Sequence, residues 1–471
     1  MAECASSAAM SMFFELKQNP EAIALKSIVS IEAQDYSETP ISYADLAALV
    51  AQRRASLARL ESTLPDEQRC VLLLKMHPTL DSVIDYLAAL QQQCVAIMID
   101  PTLTENNCRE LVERFQVHAT LDEGTLVVCG QKTFPVHSEV AILLPTSGST
   151  GGAKYVALSY SNLQANAESI CDYLPISAND CAMNTLPLYY SYGLSVLNTH
   201  LLSGASLLLS PYSIVDKAFW QLMNNAGITS FAGVPHFFDM LVKLRFTRRS
   251  LPQLRYFTQA GGKLPASTLM ALSEFSNAQE KRFFVMYGQT EATARMAYYE
   301  VCNSEVTSGV IGQPVPSGRF RIADGELQYA GPNVMLGYVD SISDFSQFTP
   351  IDWLATGDLA KVDEQHNYYI VGRKKRFIKP FGMRIDLDSL ESRISEQGIE
   401  CYCSGTDQWL IIATEQLTEV REELLREYLK GETKIHPSAV KFIQMPTLPL
   451  TSNGKRDYSA IDQFAAKAQT E

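Results

Sequence analysis

Residues 146 to 154 read Thr-Ser-Gly-Ser-Thr-Gly-Gly-Ala-Lys, a stretch of hydroxyls, glycines and one ammonium. Those are the groups that polyphosphate binding requires. Glycine allows φ > 0 and close approach of the backbone to a ligand, while hydroxyls and N–H groups donate to phosphate oxygens and lysine adds charge. Thr146, Ser147, Gly148, Ser149, Thr150, Gly151 and Lys154 are therefore candidate contacts for the phosphates of ATP. The common P-loop ends in Gly-Lys-Ser/Thr, whereas Lys154 stands between Ala153 and Tyr155, so that pattern does not apply. A polar surface loop is the other reading of this stretch taken alone. The run Val140 to Leu144 predicts a buried strand before it, and Ser161 opens a predicted helix carrying Leu163, Ala167, Ile170, Cys171 and Leu174. Strand, loop, helix is the expected setting.

Four further segments follow in order. Tyr287-Gly288-Gln289-Thr290-Glu291 comes after the apolar Phe283 to Met286, Thr356-Gly357-Asp358 after Trp353-Leu354, and Gly372-Arg373 after Tyr368 to Val371. Thr451-Ser452-Asn453-Gly454-Lys455 lies near the C-terminus. With the first loop, these segments resemble the acyl-adenylate-forming (AMP-binding) superfamily of acyl-CoA synthetases, nonribosomal peptide synthetase adenylation domains and luciferases. The resemblance spans roughly residues 40 to 460, and five ordered motifs are far more specific than one.

The chemistry so implied is attack of a carboxylate on the α-phosphate of Mg²⁺-ATP, giving acyl-AMP and pyrophosphate. Charge builds on phosphoryl oxygens, so fixed cations and donors supply most of the rate. In Tyr287, Gly288, Gln289, Thr290 and Glu291 the ring can stack on adenine, Thr290 can donate to the α-phosphate, and Glu291 can hold Mg²⁺. Gly261 and Gly262 suit the opposite wall of the adenine slot. Asp358 can accept from two ribose hydroxyls, with Arg373 reaching the same sugar. Taken singly, each of these has a plain structural alternative as a turn residue or ion pair. The resemblance makes Lys455 the catalytic cation of adenylation, presented by a turn at Gly454.

Leu186 to Gly193 resembles the substrate-side motif of acyl-CoA and aryl-CoA ligases and lacks the aspartate with which amino-acid adenylation domains bind an α-ammonium. Tyr190 and Gly193, together with Gly233 and His236, are the candidate acid pocket. His236 reads equally as a core histidine. Arg373, Lys374, Lys375, Arg376, Lys379 and Arg384 fall within twelve residues with no acid among them, which taken alone reads as a solvated charge run. The resemblance implies a hinge at Lys375 and a thiol-facing segment through Phe381 and Gly382; Arg376 replaces an acid common at its position, so the usual hinge salt bridges need not be present.

Apolar runs alternate with helical patterns through the first part of the chain. Ser42 can cap a helix with Leu46, Leu49, Val50, Leu57 and Leu60 on one face, and the runs from Cys70 and Val95 read as buried strands. Such alternation predicts an α/β body with a largely parallel sheet. Beyond Gly309 short β elements take over, and Val420, Leu424, Leu425, Tyr428 and Leu429 give a late helix one apolar face closed by Gly431. The fold expected is α/β, and the resemblance implies its division: a large N-terminal domain of α/β subdomains plus a β-rich subdomain over residues 1 to 374, and a small mobile α+β domain over 375 to 471.

At 471 residues, 46% hydrophobic and 19% charged, the chain has the composition of a soluble protein of more than one domain. No apolar run approaches the roughly 18 residues of a membrane span. The N-terminus lacks a basic region and an h-region, and ten cysteines occur without a CxxC pair, so a cytoplasmic protein with reduced thiols is expected. The formal charge of −13 argues against a nucleic-acid partner. Residues 373 to 471 hold 15 acids and 15 bases, which leaves the whole excess to the rest.

The leading expectation is a carboxylic acid–thiol ligase with coenzyme A as acceptor. Alternatives are an acyl or aminoacyl adenylating enzyme that loads the phosphopantetheine of a carrier protein, an amide-forming acyl-AMP ligase, or a non-catalytic nucleotide-binding remnant.

Overall fold

A computed structural model describes residues 11–31, 36–65, 68–146, 154–302, 308–374, 376–380, 385–406, 408–432 and 435–467. The chain divides into two compact units. The larger comprises residues 1–308, 312–319 and 329–354, and the smaller comprises 309–311, 320–328 and 355–471.

The larger unit holds the predicted α/β alternation in two sheets. One runs in the order Gly337–Val339, Tyr155–Ser159, Val140–Pro145, Val95–Ile99, Val71–Lys75, Ala119–Asp122, Thr125–Val128. Its central pairings are parallel and its edges antiparallel. Val71, Leu73, Val95, Ile97 and Leu143 are fully buried, which explains why these strands read as continuous apolar runs. The other sheet contains, in parallel register, Cys181–Met183, Ser230–Gly233, Tyr256–Gln259 and Arg282–Tyr287. Their loops leave at the carboxyl ends of the strands, where open α/β sheets place ligand sites.

The helix Tyr43–Glu61 starts at Ser42 in a capping box with Asp45 and buries Leu46, Val50, Leu57 and Leu60. The stretch after the first loop departs from expectation. Tyr155–Ser159 is a strand antiparallel to Val140–Pro145, so residues 146 to 154 join a hairpin; the helix is Tyr160–Tyr173, capped by Ser159 and not opened at Ser161. The β-branched and apolar Tyr155-Val156-Ala157-Leu158 explains the extra strand.

The smaller unit contains a sheet of Tyr402–Gly405, Leu410–Thr414 and Val440–Gln444 with the helices Leu387–Glu396, Glu419–Glu432 and Tyr458–Lys467. Leu390, Ile394, Cys403, Ile412, Leu425 and Leu429 share one core. The expected apolar face of its middle helix is narrower than predicted: Val420 and Leu424 are 69% and 56% exposed. The helix also runs through Gly431 to Glu432 instead of closing there. Only one stripe of a helix on one side of a small sheet reaches the core. No helix among the described residues is long and apolar enough to cross a membrane.

Candidate functional site

In the larger unit, the strand Arg282–Tyr287 delivers the segment from Gly288 to Glu291. Gly288 is required by space: a Cβ there would lie 1.7 Å from the Ala294 carbonyl oxygen. Thr290–Ala292 form a single 3-10 turn, and Thr293 follows at φ 66° with its hydroxyl donating to the Asn333 carbonyl at 2.7 Å. Asn333, fully buried, donates to the carbonyls of Ala292 (2.9 Å) and Arg295 (2.8 Å) and accepts from the Tyr329 hydroxyl (2.7 Å). Asn166 donates to the same Arg295 carbonyl at 3.0 Å. Side chains far away in sequence thus hold this turn from below.

The Thr290 hydroxyl lies 3.4 Å from Ser191 Oγ, which ties the predicted substrate-side motif to the predicted phosphate donor. The Tyr338 hydroxyl donates to Glu291 Oε1 at 2.9 Å, and Lys154 Nζ stands 5.4 Å from the centre of the Tyr338 ring. Burial and the adjoining Glu291 charge push the Tyr338 phenol up, so it stays a neutral donor. The neck of the first loop is closed by the Thr146 amide on the Lys154 carbonyl (3.1 Å). Ser147, Gly148, Ser149, Thr150 and Gly151 lie outside the described residues.

Gln289 Nε2 reaches the Tyr287 hydroxyl at 3.4 Å. Gly261 takes φ 89°, and Gln259 fastens the turn by donating to the Gly262 carbonyl at 2.8 Å. Tyr190 is buried, edge-on to Tyr192, and a Cβ on Gly193 would strike the Pro187 carbonyl at 2.2 Å. Gly233 meets the rings of Phe237 and Phe238 in the same way. His236 is exposed in the first turn of the helix Pro235–Lys243, which removes the core-histidine reading.

In the smaller unit, Asp358 and Arg373 face each other across antiparallel strands, with Arg373 Nε 3.3 Å from Asp358 Oδ1. Asp358 is 5% exposed and Arg373 is exposed. Gly357, at φ 75°, donates its amide to Glu326, whose other oxygen takes Lys374 at 2.7 Å. Lys455 closes a turn in which Thr451 N donates to the Lys455 carbonyl (2.8 Å) and Lys455 N to Thr451 Oγ1 (3.1 Å), with Gly454 at φ 70°. Lys375, Phe381 and Gly382 lie outside the described residues.

Arg376 makes ion pairs of its own: Nε to Asp388 at 3.1 Å and Nη2 to Glu391 at 2.9 Å, with its guanidinium 3.4 Å from the Tyr458 ring centre. Glu391, almost fully buried, also binds Arg456, the Tyr458 hydroxyl and the Cys403 amide. Burial pushes its carboxyl up against the pull of the two guanidiniums. Because Arg456 adjoins Lys455, this carboxylate fixes the base of the lysine turn. Glu391→Gln leaves two guanidiniums around a neutral amide, and breaking a buried pair costs about 3–5 kcal/mol. The melting transition of the smaller unit is expected to fall while that of the larger stays, as differential scanning calorimetry with domain-resolved proteolysis would report; an unchanged melt would show the cluster to be dispensable.

Asn333, Tyr338 and Glu391 were not among the residues read from sequence as site candidates. Each acts through partners distant in the chain, and a lone Asn, Tyr or Glu carries no spacing signal.

Residues 128–339 match the family described as AMP-binding enzyme. The long-chain-fatty-acid–CoA ligase of Yersinia pestis is 30% identical over 350 residues, covering 68% of this chain; the chain spans 60% of that ligase's length. The D-alanine–D-alanyl carrier protein ligase of Staphylococcus haemolyticus is 26% identical over 435 residues, covering 83% of this chain and 88% of the relative. ATP-bound MatB from Rhodopseudomonas palustris superposes with a TM-score of 0.78 at 20% identity, over 96% of this chain and 98% of that one. The o-succinylbenzoate CoA synthetase of Bacillus subtilis gives 0.74 at 21% identity, over 95% and 97%. At such identities the superpositions establish the fold alone; the family match identifies residues 128–339 as an AMP-binding domain of the acyl-adenylate-forming enzyme superfamily.

Proposed function

We propose that the protein is an ATP-dependent acid–thiol ligase, which converts a carboxylic acid and ATP to acyl-AMP and pyrophosphate and then passes the acyl group to a thiol. The observation that carries this reading is the bridge made by Tyr338. One aromatic side chain contacts both Lys154, beside the phosphate loop, and Glu291, the carboxylate suited to a phosphate-bound cation. A single carboxylate fits Mg²⁺, which takes one or two protein oxygens and fills its shell with phosphate and water. Glu291 is the residue that would hold it, and the ion when bound would neutralise charge on the phosphate oxygens.

In this reading Thr290 donates to the α-phosphate, Lys154 and the loop from Thr146 steady the leaving pyrophosphate, and Lys455 bridges the acid carboxylate and the phosphate. Asp358 and Arg373 hold the ribose. Lys375 is the hinge about which residues 375 to 471 turn after adenylation, and Phe381 and Gly382 then face the thiol. Coenzyme A is favoured as acceptor because Leu186 to Gly193 lacks the aspartate of amino-acid adenylation domains; the phosphopantetheine of an acyl or peptidyl carrier protein is the alternative, with a relative of that kind at 26% identity. Pyrophosphate release across a panel of carboxylic acids, each with coenzyme A or a carrier protein, tests the reading. Turnover of amino acids alone would overturn the assignment of residues 186 to 193, and no release from any acid would sink the ligase itself.

Asp358→Ala is expected to raise the Kd for ATP at least tenfold, because each ribose hydrogen bond to a charged acceptor contributes about 1.5–3 kcal/mol. Isothermal titration with ATP measures it. Unchanged affinity would make Asp358 merely the strand partner of Arg373.

A further inference from the structure

Glu291 is gripped twice by one short segment. Its backbone carbonyl accepts the Met335 amide at 2.9 Å, and its Oε1 accepts the Tyr338 hydroxyl at 2.9 Å. That segment is itself anchored. Val334 and Met335 are buried, the Leu336 amide donates to the Ala157 carbonyl at 2.9 Å, and Gly337–Val339 pairs with the strand from Tyr155. A Cβ on Gly337 would meet the Phe348 ring at 2.9 Å, so the strand lies close against that ring. The main chain that carries the phenol is therefore fixed, although the Tyr338 side chain is exposed.

A carboxylate held at its backbone and at one oxygen keeps one orientation. Oε1 is engaged by the phenol, which leaves Oε2 for a cation. Mg²⁺ takes one oxygen from such a carboxylate and fills a near-octahedral shell with phosphate and water, whereas Ca²⁺ takes about six to eight oxygens and commonly both of one carboxylate. To give both oxygens, Glu291 would have to lose the Tyr338 hydrogen bond. A hydrogen bond to a charged acceptor is worth roughly a tenfold factor or more in affinity. We propose that Tyr338 is a positioning residue for the metal: by holding Glu291 at one oxygen it makes the carboxylate a one-oxygen ligand, and so selects Mg²⁺ against Ca²⁺ on the bound ATP.

The selection rests on the ligase reading for the assignment of the ion to Glu291. Ring and hydroxyl have separate duties, since the ring lies 5.4 Å from Lys154 Nζ and the hydroxyl faces Glu291. Phenylalanine keeps the first contact and removes the second. The exposed position of residue 338 lets the variant fold.

Isothermal titration of the full chain with ATP, in Mg²⁺, in Ca²⁺ and in EDTA, reads the selection without any acid substrate. Wild type is expected to bind Mg²⁺-ATP about tenfold or more tightly than Ca²⁺-ATP. Loss of a group that orients a metal ligand typically costs about 10–100-fold in metal affinity. Tyr338→Phe is therefore expected to weaken Mg²⁺-ATP by about tenfold or more, to leave Ca²⁺-ATP and metal-free ATP unchanged, and to keep the wild-type melting temperature. In a Glu291→Gln background the same change is expected to alter neither ion's affinity, because the phenol then has no metal ligand to orient. No preference for Mg²⁺ in wild type, or a preference undiminished in Tyr338→Phe, overturns the proposal. So does equal weakening with both ions and in EDTA, which would make Tyr338 a structural residue. Selection that depends on Tyr338 with no pyrophosphate release from any acid sinks the ligase reading and leaves the ion site, whereas release from acids with a selection indifferent to Tyr338 sinks this proposal and leaves the ligase reading.

Discussion

Lys455→Ala is expected to abolish formation of acyl-AMP while thioester formation from ready-made acyl-AMP continues at the wild-type rate. The turn from Thr451 to Lys455 is closed by backbone and Thr451 hydroxyl bonds, so truncating the lysine side chain leaves those bonds in place. Gly454 supplies the left-handed residue, and Glu391 holds Arg456 next to it. What is removed is the side chain beyond Cβ, and with it the ammonium. Loss of one preorganised charged donor typically lowers a rate by about 10²–10³-fold. Pyrophosphate exchange measures the first half-reaction, and acyl-AMP with coenzyme A or phosphopantetheine measures the second. Equal loss in both would make Lys455 structural, and equal retention would make it a solvated surface charge.

What sequence could and could not disclose follows from the range of the interactions. Ser42 with Asp45 spells a capping box within four residues, and the buried strands from Val71 and Val95 announce themselves as apolar runs; both are local patterns and both are present. The hairpin after Lys154 was missed because Tyr155 to Ser159 continues into a helix without a turn residue, and only pairing with Val140–Pro145 makes it a strand. Val420 and Leu424 fit a helical face but stay exposed, since helical spacing says which residues share a face and not how wide the contact beneath it is. The same limit hid Tyr338. Its role depends on the strand Gly337–Val339 lying beside Tyr155–Ser159, which brings residue 338 to Lys154 and to Glu291. Asn333 was equally invisible, because a buried amide bonded to Ala292, Arg295 and Tyr329 looks in sequence like any asparagine.

The second large effect is expected at Gly288. Its φ is not in the left-handed region, so the need for glycine comes from space: an alanine Cβ would sit 1.7 Å from the Ala294 carbonyl oxygen and 2.6 Å from its carbon. No rotamer relieves a clash between Cβ and backbone. The segment from Thr290 to Arg295 would have to move, yet it is fastened by the Met296 amide on the Tyr287 carbonyl and by Asn333 on Ala292 and Arg295. Movement strands buried polar groups at about 1–3 kcal/mol each and displaces Thr290 and Glu291. A misplacement of about 1 Å can cost about 10²-fold in rate. Gly288→Ala is therefore expected to lower acyl-AMP formation at least a hundredfold and to lower the melting temperature of the larger unit. Gly357 provides the control, because nothing lies within 4 Å of its Cβ position and its constraint is φ 75° alone. Asparagine tolerates that region, so Gly357→Asn is expected to keep most of the activity. Pyrophosphate exchange and calorimetry on both variants decide the matter: a Gly288→Ala enzyme at full rate would mean that the loop is not held as tightly as its hydrogen bonds require, and the placement of Thr290 and Glu291 by Asn333 would lose its basis.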